Sequence, residues 1–355
     1  MTSLNAFSKL VPDRFETPQV LKKLASASRS LAELKGVATS IPNQAILIDT
    51  FGMLEAKDSS AIENIIVTHD DLFREESHPE LAVNSAVKEV VRYRQALRVG
   101  FESVQETGLI TLNQIQRIQA ELEGNNAGFR KVPGTMLKNG SGQVVYAPPQ
   151  DPSEIVRLMG DLETFLNDPG RFPADPLVKM ALSHYQFESI HPFYDGNGRT
   201  GRILNVLYLV KEGLLEIPAL YMSMAIFRTK SDYYRLLQAV RERDAWEEWV
   251  VYMLDAVEQS ALHGVTVVKA IREALLEAKH RIRDKHKFYG QILLNTLFTH
   301  PYVRIQHLER GLGVSRLTAT KYLEALAADG LLVKRRGGRS NVYINVSLAE
   351  ILTKS

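Results

Sequence analysis

His191-Pro192-Phe193-Tyr194-Asp195-Gly196-Asn197-Gly198-Arg199-Thr200-Gly201-Arg202 sets a base, a carboxylate, a Gly-Asn-Gly turn and two arginines between two helical runs. Upstream, residues 176–190 place Leu177, Val178, Ala181, Leu182, Tyr185 and Ile190 mostly on one helix face, and Pro192 ends that helix. Downstream, Ile203 to Val210 is almost wholly apolar, which predicts a buried central helix. The stretch is therefore a loop held between two core helices, and the fold expected around it is mainly α.

Each residue of the loop has a chemical use. The helix starting near Gly198 offers free amides and the positive end of its dipole. Gly196, Asn197 and Gly198 let the backbone approach an anion closely. Arg199 and Arg202 are three apart in the first turn, face the same way and suit a polyphosphate. Asp195 suits Mg²⁺, which takes one or two carboxylates and completes its shell with phosphate oxygens and water. His191 can be neutral at physiological pH and accept a proton. Together these residues point to phosphoryl or nucleotidyl chemistry. Two plainer readings compete. An ordinary helix–helix turn has no need of two arginines and an aspartate around glycines. A zinc site could use His184, Glu188, His191 and Asp195, at i, i+4, i+7 and i+11, but Pro192 interrupts the helix and the spacing is not His-Glu-x-x-His. His184 and Glu188 are expected to be structural.

The 355 residues exceed one ordinary core, and apolar and charged contents of 45% and 24% are globular values. No apolar run is long enough to span a bilayer, and the N-terminus lacks the pattern of a signal peptide, so a cytoplasmic protein without membrane contact is expected. The absence of cysteine excludes disulfides, thiolate catalysis and Cys-ligated zinc. Between Lys279 and Tyr343 thirteen Lys/Arg face four Asp/Glu, so the net +2 conceals a basic C-terminal segment on a chain otherwise near −7.

Helices are expected over 17–36, with Thr17 as N-cap, from Pro42, over 81–107 and 112–123, and at about 231–243 and 246–280. Asp58-Ser59-Ser60 reads as a break and a fresh helix start, with Ser60 and Glu63 at capping-box spacing. Between Gly124 and Gln150, Asn139-Gly140 between short apolar runs predicts a β-hairpin, which the flanking prolines confine to an edge or exposed flap. From Tyr289 onward, three short helices precede two strands flanking Arg335-Arg336-Gly337-Gly338-Arg339, the pattern of a winged helix-turn-helix. Arg316, Thr318, Thr320 and Lys321 on its third helix, with Lys334, Arg335, Arg336 and Arg339 on the wing, are candidate nucleic-acid contacts.

His191–Arg202 resembles the Fic motif, His-Pro-Phe-x-Asp/Glu-Gly-Asn-Gly-Arg-x-x-Arg, at every specified position. The resemblance covers roughly residues 10–260. It implies a Fic-type helical core over 91–260 with a target-binding flap at 128–149, behind an N-terminal helical region over 1–90. A connecting helix over 261–287 would lead to a winged helix over 288–355. It implies transfer of AMP from ATP to Tyr, Thr or Ser hydroxyls of proteins, the chain itself included. His191 would be the general base and Asp195 the Mg²⁺ carboxylate. Gly196, Asn197 and Gly198 would cradle the α- and β-phosphates, with Arg199 on phosphate oxygens and Arg202 on the γ-phosphate. Tyr233-Tyr234 resembles the family's adenine-side aromatic pair, and Phe193 would anchor the loop. Ser59-Ser60-Ala61-Ile62-Glu63-Asn64 resembles the family's inhibitory motif, Ser/Thr-x-x-x-Glu-Gly/Asn, which places an inhibitory helix near 59–66. Glu63 would then pair with Arg202 and deny it to the γ-phosphate. The alternatives are a DNA-binding transcriptional regulator whose Fic-like core senses nucleotide, and, among enzymes, a kinase-like or phosphocholine-transferring variant. The expected partners are ATP, proteins offering a hydroxyl in an extended segment, DNA through the winged helix, and a second copy of the chain.

Overall fold

A computed structural model of the chain describes residues 10–68, 71, 85–337 and 340–354. Fourteen α-helices, a 3₁₀ turn at Pro12–Phe15 and five short strands make up the described residues. Helices α1 (Pro18–Ala38), α2 (Gln44–Ile62), α3 (Ser85–Thr107) and α4 (Leu112–Glu123) come first. The hairpin β1 (Leu137–Lys138) and β2 (Val144–Tyr146) follows, then α5 (Pro152–Asn167), α6 (Pro176–Ile190) and α7 (Asn197–Lys211). Next are α8 (Met222–Arg228), α9 (Lys230–Arg243) and the 40-residue α10 (Trp246–Lys285), about 60 Å long at 1.5 Å per residue. The chain ends with α11 (Gln291–Thr299), β3 (Tyr302–Arg304), α12 (Ile305–Leu312), α13 (Arg316–Ala328), β4 (Leu332–Gly337), β5 (Ser340–Asn345) and α14 (Val346–Lys354).

Local chemistry sets these boundaries. Thr17, Thr111, Asp151, Asp175 and Ser315 each accept a backbone N–H as N-caps, three of them followed by proline at the first helical position. α6 and α7 form the buried centre: every residue of α6 after Pro176 is buried, not one face alone. α10 lies along α1, where Gly264 lets Leu34 approach to within 3.0 Å of where a Cβ would sit. Its Trp249 Nε1 donates to Ala181 O at 2.8 Å, tying it to α6. At Gly100 of α3 a Cβ would meet Leu207 of α7 at 2.5 Å, so only glycine permits that approach beside the site.

Three expectations need correction. The second helix starts at Gln44, capped by Asn43, and not at Pro42. Asp58-Ser59-Ser60 is no break: α2 runs through it to Ile62, because all three residues face the interior. Asp58 accepts from the Tyr221 hydroxyl, while Glu55, one turn earlier, holds Ser223 N at 2.9 Å and the Tyr93 hydroxyl at 3.2 Å. Hence the segment expected to be inhibitory is the C-terminal end of α2, and residues 63–68 lie beyond the helix. Finally, β3 and α14 had no distinct sequence signal. β3 joins β5 and β4 as an antiparallel sheet in the order β3-β5-β4, beside the helices α11, α12 and α13. Residues 81–84 of the expected third helix, and Arg339 of the expected wing, lie outside the described residues.

The C-terminal unit rests on the rest of the chain. α11 lies against α2 and α14 against α10. Asp329 at the end of α13 accepts from the His286 ring, and its carbonyl accepts from Arg281 Nη2 at 2.7 Å. The Phe288 and Tyr322 rings stack with centroids 4.1 Å apart.

Candidate active site

The site is built on the α6–α7 turn. α6 ends at His191, whose own N–H closes the helix on Phe187 O at 2.9 Å. His191 adopts φ 49°, ψ 59°, a left-handed conformation that is uncommon for a side-chain-bearing residue and is held here by its surroundings. Burial, then the charge of Arg130, pulls its imidazole down to about 4, with Arg241 acting the same way and Glu63 opposing. The ring is neutral at physiological pH.

Phe193 is fully buried, as its role as loop anchor requires. Asn197 is committed to that anchor: its Oδ1 accepts from Phe193 N at 2.8 Å and its Nδ2 donates to Phe193 O at 2.9 Å. Its side chain therefore closes the loop, leaving only its backbone for an anion. Gly196 caps α7 at φ 76°. Asp195 is exposed, and one of its oxygens accepts from Gly196 N at 2.8 Å.

Both arginines are buried against carboxylates. Arg202 donates to Glu63 Oε1 at 2.8 Å, to Ser59 Oγ at 2.8 Å and to Ser59 O at 2.9 Å. Burial pushes the Glu63 carboxyl up, but the Arg202 guanidinium outweighs it and holds the group below the usual glutamate value. For Arg202 burial works against the charge, yet Glu63 leaves its pKa raised. Glu63 thus sits at the C-cap of α2, over Gly198, and is not the capping-box acid of its own helix. Asn64 follows at φ 64°, and Ile65 N bonds back to Ser60 O at 3.0 Å, a left-handed helix end that favours Gly or Asn. Lys230 Nζ donates to the Asn64 side chain at 2.9 Å.

Sequence reading did not find the partners of Arg199. Its Nη1 donates to Glu89 Oε2 at 2.6 Å and its Nη2 to Glu123 Oε1 at 2.9 Å. A Cβ on Gly196 would meet that same Glu123 oxygen at 2.3 Å, and one on Gly198 would meet Glu63 Oε1 at the same distance. Two carboxylates therefore lie directly over the glycine turn, one per arginine. Nothing local in the sequence links Glu123 to Arg199, 76 residues away.

The tyrosine pair is divided. Tyr233 is in the core, its hydroxyl 2.9 Å from His184 Nε2 and its ring against Trp249, while Tyr234 is 46% exposed. His184 also contacts Asn205 through Nδ1 at 3.1 Å, so both its ring nitrogens are used structurally. Glu188 is buried against Gly201, and burial pushes its carboxyl up to about 7. Among the described residues no cluster of three or more His, Asp or Glu is arranged to hold a metal, and both ring nitrogens of His184 are already engaged by Tyr233 and Asn205. Asp195 is an exposed oxygen donor, and the Glu123 carboxyl, raised by its burial against the opposing charge of Arg199, also feels the Asp195 charge. One or two carboxylates are what Mg²⁺ takes when phosphate and water complete its shell.

The hairpin forms where expected, pairing Leu137 with Tyr146 and Lys138 with Val144, and exposes Met136, Val144 and Val145. Of the candidate nucleic-acid contacts, Arg316 and Lys321 are exposed on α13, and Arg335 and Arg336 on β4. Lys334 instead pairs with Glu324 at 2.5 Å. No helix among the described residues is long and apolar enough to cross a membrane.

Comparison with known proteins agrees with this geometry. Residues 21–102 match the profile of the Fic/DOC family N-terminal region, 109–209 that of the Fic/DOC family, and 275–348 that of the protein adenylyltransferase SoFic-like C-terminal domain. The chain is similar to protein adenylyltransferase fic-1 of Caenorhabditis elegans, at 28% identity over 37% of this chain and 24% of that protein. It is also similar to protein adenylyltransferase Fic of Aedes aegypti, at 29% identity over 44% and 30%. The matched region thus spans less than a third of these relatives. A solved Fic family protein from Desulfovibrio desulfuricans G20 shares the fold, with TM-score 0.58 and 21% identity over 93% of this chain and 96% of that one. Caenorhabditis elegans Fic-1 does so with TM-score 0.56 and 22% identity over 71% and 74%. With a complete Fic motif on the α6–α7 turn and three such profiles accounting for most of its length, the chain belongs to the Fic/DOC family.

Proposed function

We propose that the chain is a protein adenylyltransferase held in check by Glu63. The observation that carries this reading is a neutral, backbone-fixed His191 beside a glycine turn and two guanidiniums, with the Glu63 carboxylate lying on the second of them. The substrate hydroxyl gives its proton to the His191 imidazole as its oxygen attacks the α-phosphorus of ATP. The bond from that phosphorus to the bridging oxygen breaks, pyrophosphate leaves, and AMP remains on the protein. α7 amides, Arg199 and Arg202 would stabilise the charge developing on the phosphates. Asp195, with Glu123 beside it, would hold Mg²⁺, which supplies charge neutralisation of the phosphates when bound. The exposed hairpin edge suits an extended target segment added as a strand through main-chain hydrogen bonds.

Inhibition follows from competition. ATP needs Arg202 for its γ-phosphate, and Glu63 with Ser59 now saturates it. Because Glu55 and Asp58 anchor α2 in the core, Glu63 is presented rigidly. Incubation with α-labelled and with γ-labelled ATP tests the reaction: adenylyl transfer labels protein from the α-position only and is lost in His191→Ala. Label from the γ-position would make the chain a kinase, and label surviving His191→Ala would end the base assignment.

A second reading concerns the C-terminal unit. Arg316, Lys321, Arg335 and Arg336 have no ion-pair partner among the described residues, which supports phosphate contact with duplex DNA. Anisotropy of a labelled duplex should then show binding that weakens steeply with salt. No binding at low salt removes DNA as a partner.

A further inference from the structure

Arg130 has the chemistry of a residue retained for a purpose. It is 1% exposed, and among the described residues no carboxylate pairs with it. Burying an unpaired guanidinium is costly, and here burial pulls its pKa down. All its bonded acceptors are main-chain carbonyls. Nε donates to His191 O at 2.7 Å, and Nη2 to Pro149 O at 2.9 Å and Ile190 O at 3.3 Å. Its own backbone N–H donates to Pro192 O at 2.8 Å. One carbonyl earlier, Ser189 O accepts from the Tyr146 hydroxyl of β2 at 2.9 Å. Four consecutive carbonyls, the last two of α6 and the two that follow it, are thus taken by donors from the flap segment, three of them by Arg130. The same guanidinium reaches Pro149, so it also closes the flap at its far end.

These bonds bear directly on His191, one of the left-handed residues of the site. His191 is left-handed, and its peptide carbonyl is the acceptor of the shortest of them. We propose that Arg130 is a positioning residue for the transfer reaction, holding the His191 peptide in its left-handed conformation and locking it to both ends of the target-binding flap. The proposal rests on His191 being the general base. A second consequence is electrostatic: after burial, Arg130 is the main group opposing protonation of His191, joined by Arg241 from α9 and opposed by Glu63 from α2.

The test is made in full-length protein carrying Glu63→Gly, where transfer is measurable, comparing Arg130→Met and Arg130→Lys with the parent. Thermal denaturation gives the folded fraction of each. Per folded molecule, Arg130→Met should lower kcat about 100-fold with little change in KM for ATP, the signature of a misplaced group and not of lost binding. Its acid limb in the pH profile should move upward, because a cation opposing protonation is gone. Arg130→Lys keeps the charge but not the fork, so kcat should fall while the acid limb stays near that of the parent. A solely structural role would lower the folded fraction and leave the limb of the remaining active molecules in place. Parent-like kcat and limb in Arg130→Met, or in Arg130→Lys a limb displaced without loss of kcat, would overturn the proposal. His191→Ala in the same background is the control for the underlying reading: if it retains transfer, the base assignment fails, whereas an inert His191→Ala beside a parent-like Arg130→Met refutes the Arg130 inference alone.

Discussion

If Glu63 holds the proposed transfer in check, replacing it by glycine should release that activity, and the exposure and remaining partners of the Glu63–Arg202 pair bound the size of the effect. Losing one partner of a well-buried ion pair costs about 3–5 kcal/mol. Here the Glu63 side chain is 34% exposed against 2% for Arg202, so solvent screens part of the attraction. Arg202 also keeps two acceptors on Ser59 after the substitution. A lock worth about 1–3 kcal/mol follows, and since apparent affinity scales with the competent fraction, transfer should rise about 5- to 150-fold. The assay is incorporation of α-labelled AMP into the chain itself at an ATP concentration below saturation. Glu63→Gln should fall between parent and Glu63→Gly, because the amide retains a hydrogen bond to Arg202 without the charge. A folded Glu63→Gly that labels no faster than the parent would show that Glu63 merely ends α2.

Phe193→Ala should cost about 3–5 kcal/mol in chemical denaturation, since the ring is fully buried under the loop; a loss below about 1 kcal/mol would mean the loop collapses onto the space. Tyr234→Ala should weaken ATP binding measured by calorimetry, whereas Tyr233→Phe should leave ATP binding alone and cost about 1 kcal/mol of stability by unpairing His184; equal effects on ATP would restore the paired reading. Glu188→Gln should stabilise the fold at pH 8 and do little at pH 4.5. The folded carboxyl is raised to about 7, so its contribution is complete below the ordinary value of 4.5 and lost as pH rises through 7. The upper bound is about 3 kcal/mol, a figure that already contains the opposing charge of Arg202; an equal gain at both pH values would show that the buried group does not titrate as described.

Some of this was legible in the residues, for stated reasons. Caps such as Thr17 and Ser315, and the Asn-Gly turn of the hairpin, act within four residues, so sequence alone locates them. The Fic motif places base, carboxylate, glycines and arginines within one turn of chain. Asp58-Ser59-Ser60 misled because polar residues in a row ordinarily end a helix. Tyr221 and Arg202, the partners of Asp58 and Ser59, come from 163 and 143 residues away and let those two polar side chains lie in the interior. Tyr233 and Tyr234 look equivalent as neighbours, but a 100° step on α9 sends one into the core and the other to solvent.

Local sequence, then, told which groups line the α6–α7 turn, and the resemblance of 59–64 to the family's inhibitory motif told that Glu63 could answer Arg202. Tertiary packing supplied the partners those groups meet. It laid Glu63 on Arg202 from the end of a continuous α2, set Glu89 and Glu123 on Arg199, and drew Arg130 beneath His191. The physical reason is that a short motif can encode local geometry, whereas a buried charge finds its counter-group only once distant helices have packed around it.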